Sequence, residues 1–377
     1  MEIKKHILEN VKNKFPNIKL PLVSGQALVK AAKANDAMIM AVNMRCRLPV
    51  EGIARASLDT KAPVMYEIAK SELGYTEFTP DSFVDYIIEV NERIGNKTVP
   101  FAIHADHLTV KSEDEVDAVD ELIKEEIKAG FTSFAIDASH MENELNLRAT
   151  KKLAPQVKEI GAGLEVELGE IGAKSGDAEG FTNPEEAKWF IGELADAGIH
   201  PDLLAINNGS IHGTYFGTTR EGIQLELTKK IYEAIQKWDV DIAQHGITGT
   251  SLMKIREFIK YGIRKGNVGT FWQNISFGIG MDANGNAITD EEKNYTKRPY
   301  RGVPDDLWKE IEKWAKKTGN TGGNIKKANK AFADKFNALD KKYKDRITAQ
   351  AYEEAIRLFE ATNSIFLADE VFKYLKS

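Results

Sequence analysis

Eight short apolar runs, each followed by a stretch with helical periodicity, limit the folds open to this chain more than any other property. They are Met38–Asn43, Ala62–Ala69, Val99–His107, Phe131–Ser139, Ala162–Gly169, Asp202–Ser210, Val240–Gly249 and Gly266–Trp272. They start about 24 to 40 residues apart, room for one strand, one helix and two loops each. The segments between them carry apolar stripes: Val116, Val119, Leu122, Ile123 and Ile127 in Glu113–Ala129, and Leu252, Ile255, Phe258 and Ile259 in Ser251–Tyr261. Pro184–Ala197 follows Thr182-Asn183, a cap with proline at the first turn. Eight such units predict an α/β fold of the (β/α)8 TIM barrel type; a doubly wound open sheet is the alternative.

After Trp272 the pattern changes. Met281–Tyr300 is polar and turn-rich, and Asp305–Lys317, Ile325–Tyr343 and Thr348–Ala361 read as helices. The last is expected to close the barrel and the others to form a subunit-contact arm. With no repeat, Pro-rich linker or low-complexity tract, residues 1–377 read as a single domain. Its barrel spans about 25–275 and its helical extension about 280–377.

Composition removes several function classes. Lys plus Arg total 51 and Asp plus Glu 57, a net charge of −6, with no long basic run, so nucleic acid is not an expected partner. One cysteine, Cys46, excludes an intramolecular disulfide and a cysteine zinc cluster. No apolar run approaches the roughly 18 residues of a membrane span. The opening MEIKKHILENVKNKF lacks a signal-peptide apolar core, so a cytoplasmic location is expected.

In a barrel, chemistry gathers at the C-terminal ends of the strands, where the βα loops converge. Asn43, Asp106, His107, Asp137, Glu167, His245 and the stretch Asn267 to Thr270 all fall there, and His212 just follows the sixth strand. His107, His212 and His245 suit Zn²⁺ with an open position, which makes the metal a Lewis acid. His104 and His140 lie near the rim in supporting or structural roles. Glycines flank two of the three ligands, in Asn208–Gly213 and His245–Gly249, and such loops can nest a phosphate or serve plain turns.

Several motifs together resemble those of the class II, zinc-dependent fructose-bisphosphate aldolases. They are AVN at Ala41–Asn43, HADH at His104–His107, FAIDASHMENELNL at Phe134–Leu147, LEVELG at Leu164–Gly169, GSIHGTY at Gly209–Tyr215, QHGITGTS at Gln244–Ser251 and NVGT at Asn267–Thr270. Their order and spacing agree over roughly residues 25–275. The resemblance implies that His107, His212 and His245 hold zinc, and that Asp137 and Glu167 line an alternative, buried metal position. It implies Asp106 as the acid/base at the aldehyde-derived hydroxyl and Asn43 as a hydrogen-bond donor to the enediolate. It also implies Gly213, Gly246 and Thr248 around the phosphate of the ketone fragment, with Asn267 and Thr270 beside it. A monovalent cation often accompanies those carbonyls in the family.

The chain departs from the family pattern in several places, among them HGITG at His245–Gly249 for the family's HGGSG and Leu108 after HADH in place of a small residue. The loop after LEVELG, Gly172–Glu179, lacks the usual Gly-Gly-x-Glu-Asp, so Asp177 or Glu179 becomes the expected base, with Lys174 as rival. The loop Gly172–Gly180 is expected to be mobile and to close over substrate. The aspartate of the family's NxDT segment is Gly269, and its serine-bearing loop after the second strand is Glu67-Ile68-Ala69. Arg45 and Arg47 after AVN are extra, and either meet an anionic substrate group or are simply solvated, the commoner case for arginine. The expected function is reversible aldol cleavage of a phosphorylated ketose such as fructose 1,6-bisphosphate, by a homo-oligomer (dimer or tetramer). The alternatives are a metal-dependent epimerase or an aldolase with a different substrate on the same site.

Overall fold

A computed structural model describes residues 3–169, 180–210, 222–292 and 294–375. Eight parallel strands close on one another in sequence order. They are β1 Ile39–Asn43, β2 Val64–Ala69, β3 Phe101–Thr109, β4 Ser133–Asp137, β5 Gly163–Leu168, β6 Leu203–Ile206, β7 Asp241–Gln244 and β8 Ile263–Val268. β1 pairs with both β2 (Met40 opposite Val64) and β8 (Met40 opposite Gly266), so no edge is left open, and the open-sheet alternative is excluded. Strands such as Ile-Met-Ala-Val-Asn are buried along their whole length because helices cover one face and the barrel interior the other. The capping of Pro184–Asp196 follows the sequence: Asn183 accepts from the Glu186 amide at 2.9 Å.

The eighth strand runs Ile263–Val268 rather than Gly266–Trp272. Arg264-Lys265 disguises its start, while Thr270–Phe277 is a helix at the rim. Lys265 is a strand residue because its ammonium is neutralised inside the barrel. The predicted helix Ile325–Tyr343 is broken into a 3-10 turn, Gly322–Lys327, and short helices Ala328–Ala331 and Ala333–Asn337. The last long helix then starts at Lys341, ahead of Thr348, and runs to Ala361.

That helix packs along Val50–Thr60, completing the outer layer between the ends of the strand order. The helix Gly25–Ala34 packs against β1, β3, β5 and β8 and plugs the N-terminal mouth. The C-terminal mouth is therefore the open one. Among the described residues no helix is long and apolar enough to cross a membrane.

Candidate active site

The open mouth holds a cleft of about 620 Å³, and Asn43, Asp106, His107, Asp137, Glu167, His245, Gly246, Thr248, Asn267 and Thr270 all line it. His212, Gly213, Asp177 and Glu179 lie outside the described residues, as does all of the loop 172–179. The remaining predicted site residues come together from six sequence segments.

A fault in β3 sets up the centre. Ala105 sits opposite Phe134 and Leu108 opposite Ile136, so β3 carries one residue more than β4 between these points. The extra residue falls at Asp106-His107, and His107 takes up a left-handed φ of +42°. Successive residues of a regular strand face opposite ways. The bulge instead lets both neighbours line the cleft, at the cost of a backbone conformation that β-carbon-bearing residues avoid.

His107 Nε2 and His245 Nδ1 face each other at 2.7 Å. On the far side of each ring stands a carboxylate. His107 Nδ1 lies 2.8 Å from Glu167 Oε1 and 3.2 Å from Asp137 Oδ2. His245 Nε2 lies 2.7 Å from Glu165 Oε1. A carboxylate on one imidazole nitrogen fixes that nitrogen as the N–H donor and leaves the other with its lone pair. The two facing nitrogens share one hydrogen bond, and loss of its proton would turn both lone pairs to one place, with the Asp106 carboxylate close by. This donor set fits a divalent N/O-binding metal such as zinc, with His107 Nε2 and His245 Nδ1 as ligands. Asp137 and Glu167 with His107 form a second grouping of metal-ligand type, deeper in the barrel.

Electrostatics follows this geometry. Burial works against a charge on His107, yet Glu167 and Asp106 carry its pKa well above the ordinary value. Burial and the neighbouring His107 push His245 down. Burial and the adjacent Asp137 lift Glu167 to about 8. Asp106, though buried, is held far below the usual carboxylate range by His107 and Lys265, and so is ionised. Its oxygens accept from Asn43 Nδ2 at 2.8 Å and Asn267 Nδ2 at 3.0 Å. Asp137 is anchored by Thr109 Oγ1 at 3.0 Å and Ser139 Oγ at 2.6 Å.

On the β7–β8 side, Gly246 adopts φ +67°, and Thr248 Oγ1 accepts from the Phe271 amide at 3.3 Å. Gly269 sits against β1: a β-carbon there would lie 3.0 Å from Arg45 Nη2 and 3.1 Å from Asn43 Cβ. An aspartate at this position would have to displace the Arg45 guanidinium.

Three buried charges escaped the sequence reading. Lys265 Nζ lies 2.9 Å from Glu165 Oε2 and 3.3 Å from Glu67 Oε2, all fully buried, with His104 Nε2 at 3.2 Å. Alternation along β5 puts Glu165 on the same face as Glu167, and that signal was available. No local signal marks Lys265 or Glu67 as facing one another across the barrel.

The chain matches the family profile "Fructose-bisphosphate aldolase class-II" over residues 23–363. It is 30% identical over 313 residues to a fructose-bisphosphate aldolase of Staphylococcus aureus (strain N315), covering 81% of this chain and 100% of that protein. It is 30% identical over 256 residues to the fructose-bisphosphate aldolase of Streptococcus pneumoniae serotype 4, covering 67% and 80%. Among solved structures, the fructose-bisphosphate aldolase from Campylobacter jejuni aligns with a TM-score of 0.59 at 19% identity over 92% of this chain and 97% of that one. The YdjI aldolase from Escherichia coli K12 aligns at 0.57 and 20% identity over 91% and 98%. At these identities the two structures bear on the fold.

Proposed function

Because the chain belongs to the class II fructose-bisphosphate aldolase family, whose members are lyases, we propose that it catalyses metal-dependent, reversible aldol cleavage of a phosphorylated ketose. Fructose 1,6-bisphosphate, giving dihydroxyacetone phosphate and glyceraldehyde 3-phosphate, is the default substrate. The observation that carries this reading is the facing pair of imidazole nitrogens, each ring backed by a carboxylate, beside the Asp106 carboxyl group.

In this reading His107 and His245 hold zinc, joined by His212, with Asp137 and Glu167 at the deeper position. When bound, the metal supplies Lewis-acid polarisation of the ketone carbonyl. Asp106, oriented by Asn43 and Asn267, moves the proton at the aldehyde-derived hydroxyl. Asn43 also has its amide facing the cleft, where it can donate to a substrate oxygen. Gly213, Gly246 and Thr248, with Asn267 and Thr270, receive the phosphate of the ketone half. A monovalent cation beside that loop, a cytoplasmic location and a homo-oligomeric state belong to the same reading. The base that removes the proton next to the ketone is assigned to Asp177 or Glu179.

Gly269 and Arg45 favour a second reading on the same site: an aldolase whose sugar phosphate differs from fructose 1,6-bisphosphate. Sugar phosphates and free sugars assayed with Zn²⁺, Co²⁺ and Mn²⁺ decide between them. Asp106→Asn is expected to lower kcat by about 10²–10⁴-fold while metal content stays at the wild-type level. Near-normal kcat in that variant would show that Asp106 is not the acid/base.

A further inference from the structure

Behind the loop that follows β7 lies a second cavity, of about 280 Å³, which the proposed chemistry leaves unused. Its walls come from that loop, from Phe271, from the turn Asp282–Gly285 and from the helix Lys341–Ala361. Thr248 lines both this cavity and the catalytic cleft, so the loop is the partition between them.

The partition is held from the cavity side. The Gly249 amide donates to the Asn284 carbonyl oxygen at 3.1 Å, and the Phe271 amide donates to Thr248 Oγ1 at 3.3 Å. Asn284 is itself fixed, because Asp282 Oδ1 accepts from the amides of Asn284 at 2.8 Å and Asn286 at 3.0 Å. Gly285, at φ +89°, sits so close to the Phe271 ring that a β-carbon would lie 2.6 Å from its Cδ2. Loop, turn and ring form one contiguous set, and a molecule seated among them bears on Thr248.

The lining selects the kind of molecule. Ile247, Ile255, Val268, Ile279 and Leu358 give the cavity a buried apolar floor. Arg298, Arg301 and Arg357 stand around it. Arg357 faces Glu354 at 3.3 Å, and Arg298 Nη2 donates to the Met281 carbonyl oxygen at 2.9 Å. Among the described residues the Arg301 guanidinium makes no hydrogen bond or ion pair. Of the carboxylates at the rim, Asp282 is engaged by the Asn284–Asn286 turn, Glu354 by Arg357, and Glu353 is exposed. Guanidinium donors above an apolar floor fit a small molecule with an apolar body and one oxyanion, phosphate or carboxylate.

We propose that this cavity is an effector site for such an amphiphilic anion, and that its occupant tightens binding of the ketone-half phosphate by holding Thr248 and Gly249 where they stand. The regulatory half rests on the aldolase reading, in which Thr248 receives that phosphate. The sign follows from the geometry. The cavity is formed while Asn284 and Phe271 hold the loop, so an anion that fills it selects that loop position.

The test uses three probes, phenyl phosphate, benzoate and the neutral benzyl alcohol, titrated by calorimetry into the metal-loaded protein. At least one anion is expected to bind about tenfold more tightly than benzyl alcohol, and the tighter of the pair identifies the oxyanion. Arg301→Gln should weaken that binding about fivefold. Ala283→Trp, an indole added on an exposed turn at the cavity wall, should abolish it. Thermal melts check that both variants are folded. Anion binding unchanged in either variant, or no preference over benzyl alcohol, overturns the site.

The coupling is read with dihydroxyacetone phosphate. Its affinity should rise about threefold or more when the anion is bound, the anion's affinity should rise by the same factor, and Ala283→Trp should remove both effects. An unchanged affinity, or the fall that competition for the cleft would give, overturns the regulation. A wild type that cleaves fructose 1,6-bisphosphate but binds no anion through Arg301 loses the effector site and keeps the aldolase reading. One that binds the anion through Arg301 and cleaves no sugar phosphate loses the aldolase reading and keeps the site.

Discussion

Glu165 does for His245 what Glu167 and Asp137 do for His107: it occupies the ring nitrogen turned away from the cleft. Lys265 and His245 hold its pKa down at about 2 despite burial, so it remains an acceptor at any working pH. Lys265 keeps the carboxylate in place from below. Glu165→Gln leaves Lys265 its second partner, Glu67, and removes the charge that fixes the His245 tautomer. Metal affinity is expected to fall about 10–100-fold, measured by chelator competition. Wild-type affinity in that variant would mean that Glu165 does not orient His245.

At the level of elements, the strands divide their work between the two ends. The C-terminal end of β3 bulges to serve the cleft, while the N-terminal ends serve stability. Asp241, the first residue of β7, is buried at that lower end, with Oδ2 3.3 Å from Lys33 Nζ. Lys33 is shared with the exposed Asp239, and among the described residues Asp241 Oδ1 has no hydrogen-bond partner. Burial lifts the Asp241 pKa to about 6 against the pull of Lys33 and Arg264. Its folded pKa is above the unfolded value, so its contribution to stability is complete below about pH 4 and is lost as pH rises through about 6. A rise of about two units corresponds to about 3 kcal/mol. Asp241→Asn is expected to be more stable than wild type above pH 6, by at most that amount, with the advantage vanishing towards pH 4. Denaturant melts from pH 4 to 8 check this, and a pH-independent difference would rule the titration out.

Across the whole molecule, the extension is built into the barrel. Helix Lys341–Ala361 fits so closely that a β-carbon on Gly52 would lie 2.2 Å from the Thr348 carbonyl oxygen. Trp308 and Phe336 pack on Phe277, and Leu367 and Val371 join the cluster beneath the barrel with Leu28 and Ile39. We therefore propose that barrel and extension unfold as one domain. Heating monitored by far-UV circular dichroism and by fluorescence of Trp308 and Trp314 should give coincident transitions. An earlier transition in the fluorescence of a variant that keeps only these two tryptophans would make the extension a separate unit.

The alternation of apolar runs and amphipathic stripes was enough to determine the barrel, because a strand buried on both faces needs a covering helix, and both periods are local. It also placed Asn43, Asp106, His107, Asp137, Glu167 and His245 at strand ends, since the strand ends are where the βα loops begin. Strand ends say nothing about which side chains touch. The bulge that turns Asp106 and His107 into the same cleft depends on the register of β3 against β4. The sequence carries no local mark of Lys265's burial, because its partners, Glu67 and Glu165, are 198 and 100 residues away in the chain. Lys326 reaches the cleft only because the extension folds back over the β1–β2 side. Each of these rests on the meeting of charges distant in sequence, where the cost of burying one is offset by the other, and only the closed tertiary structure brings them together.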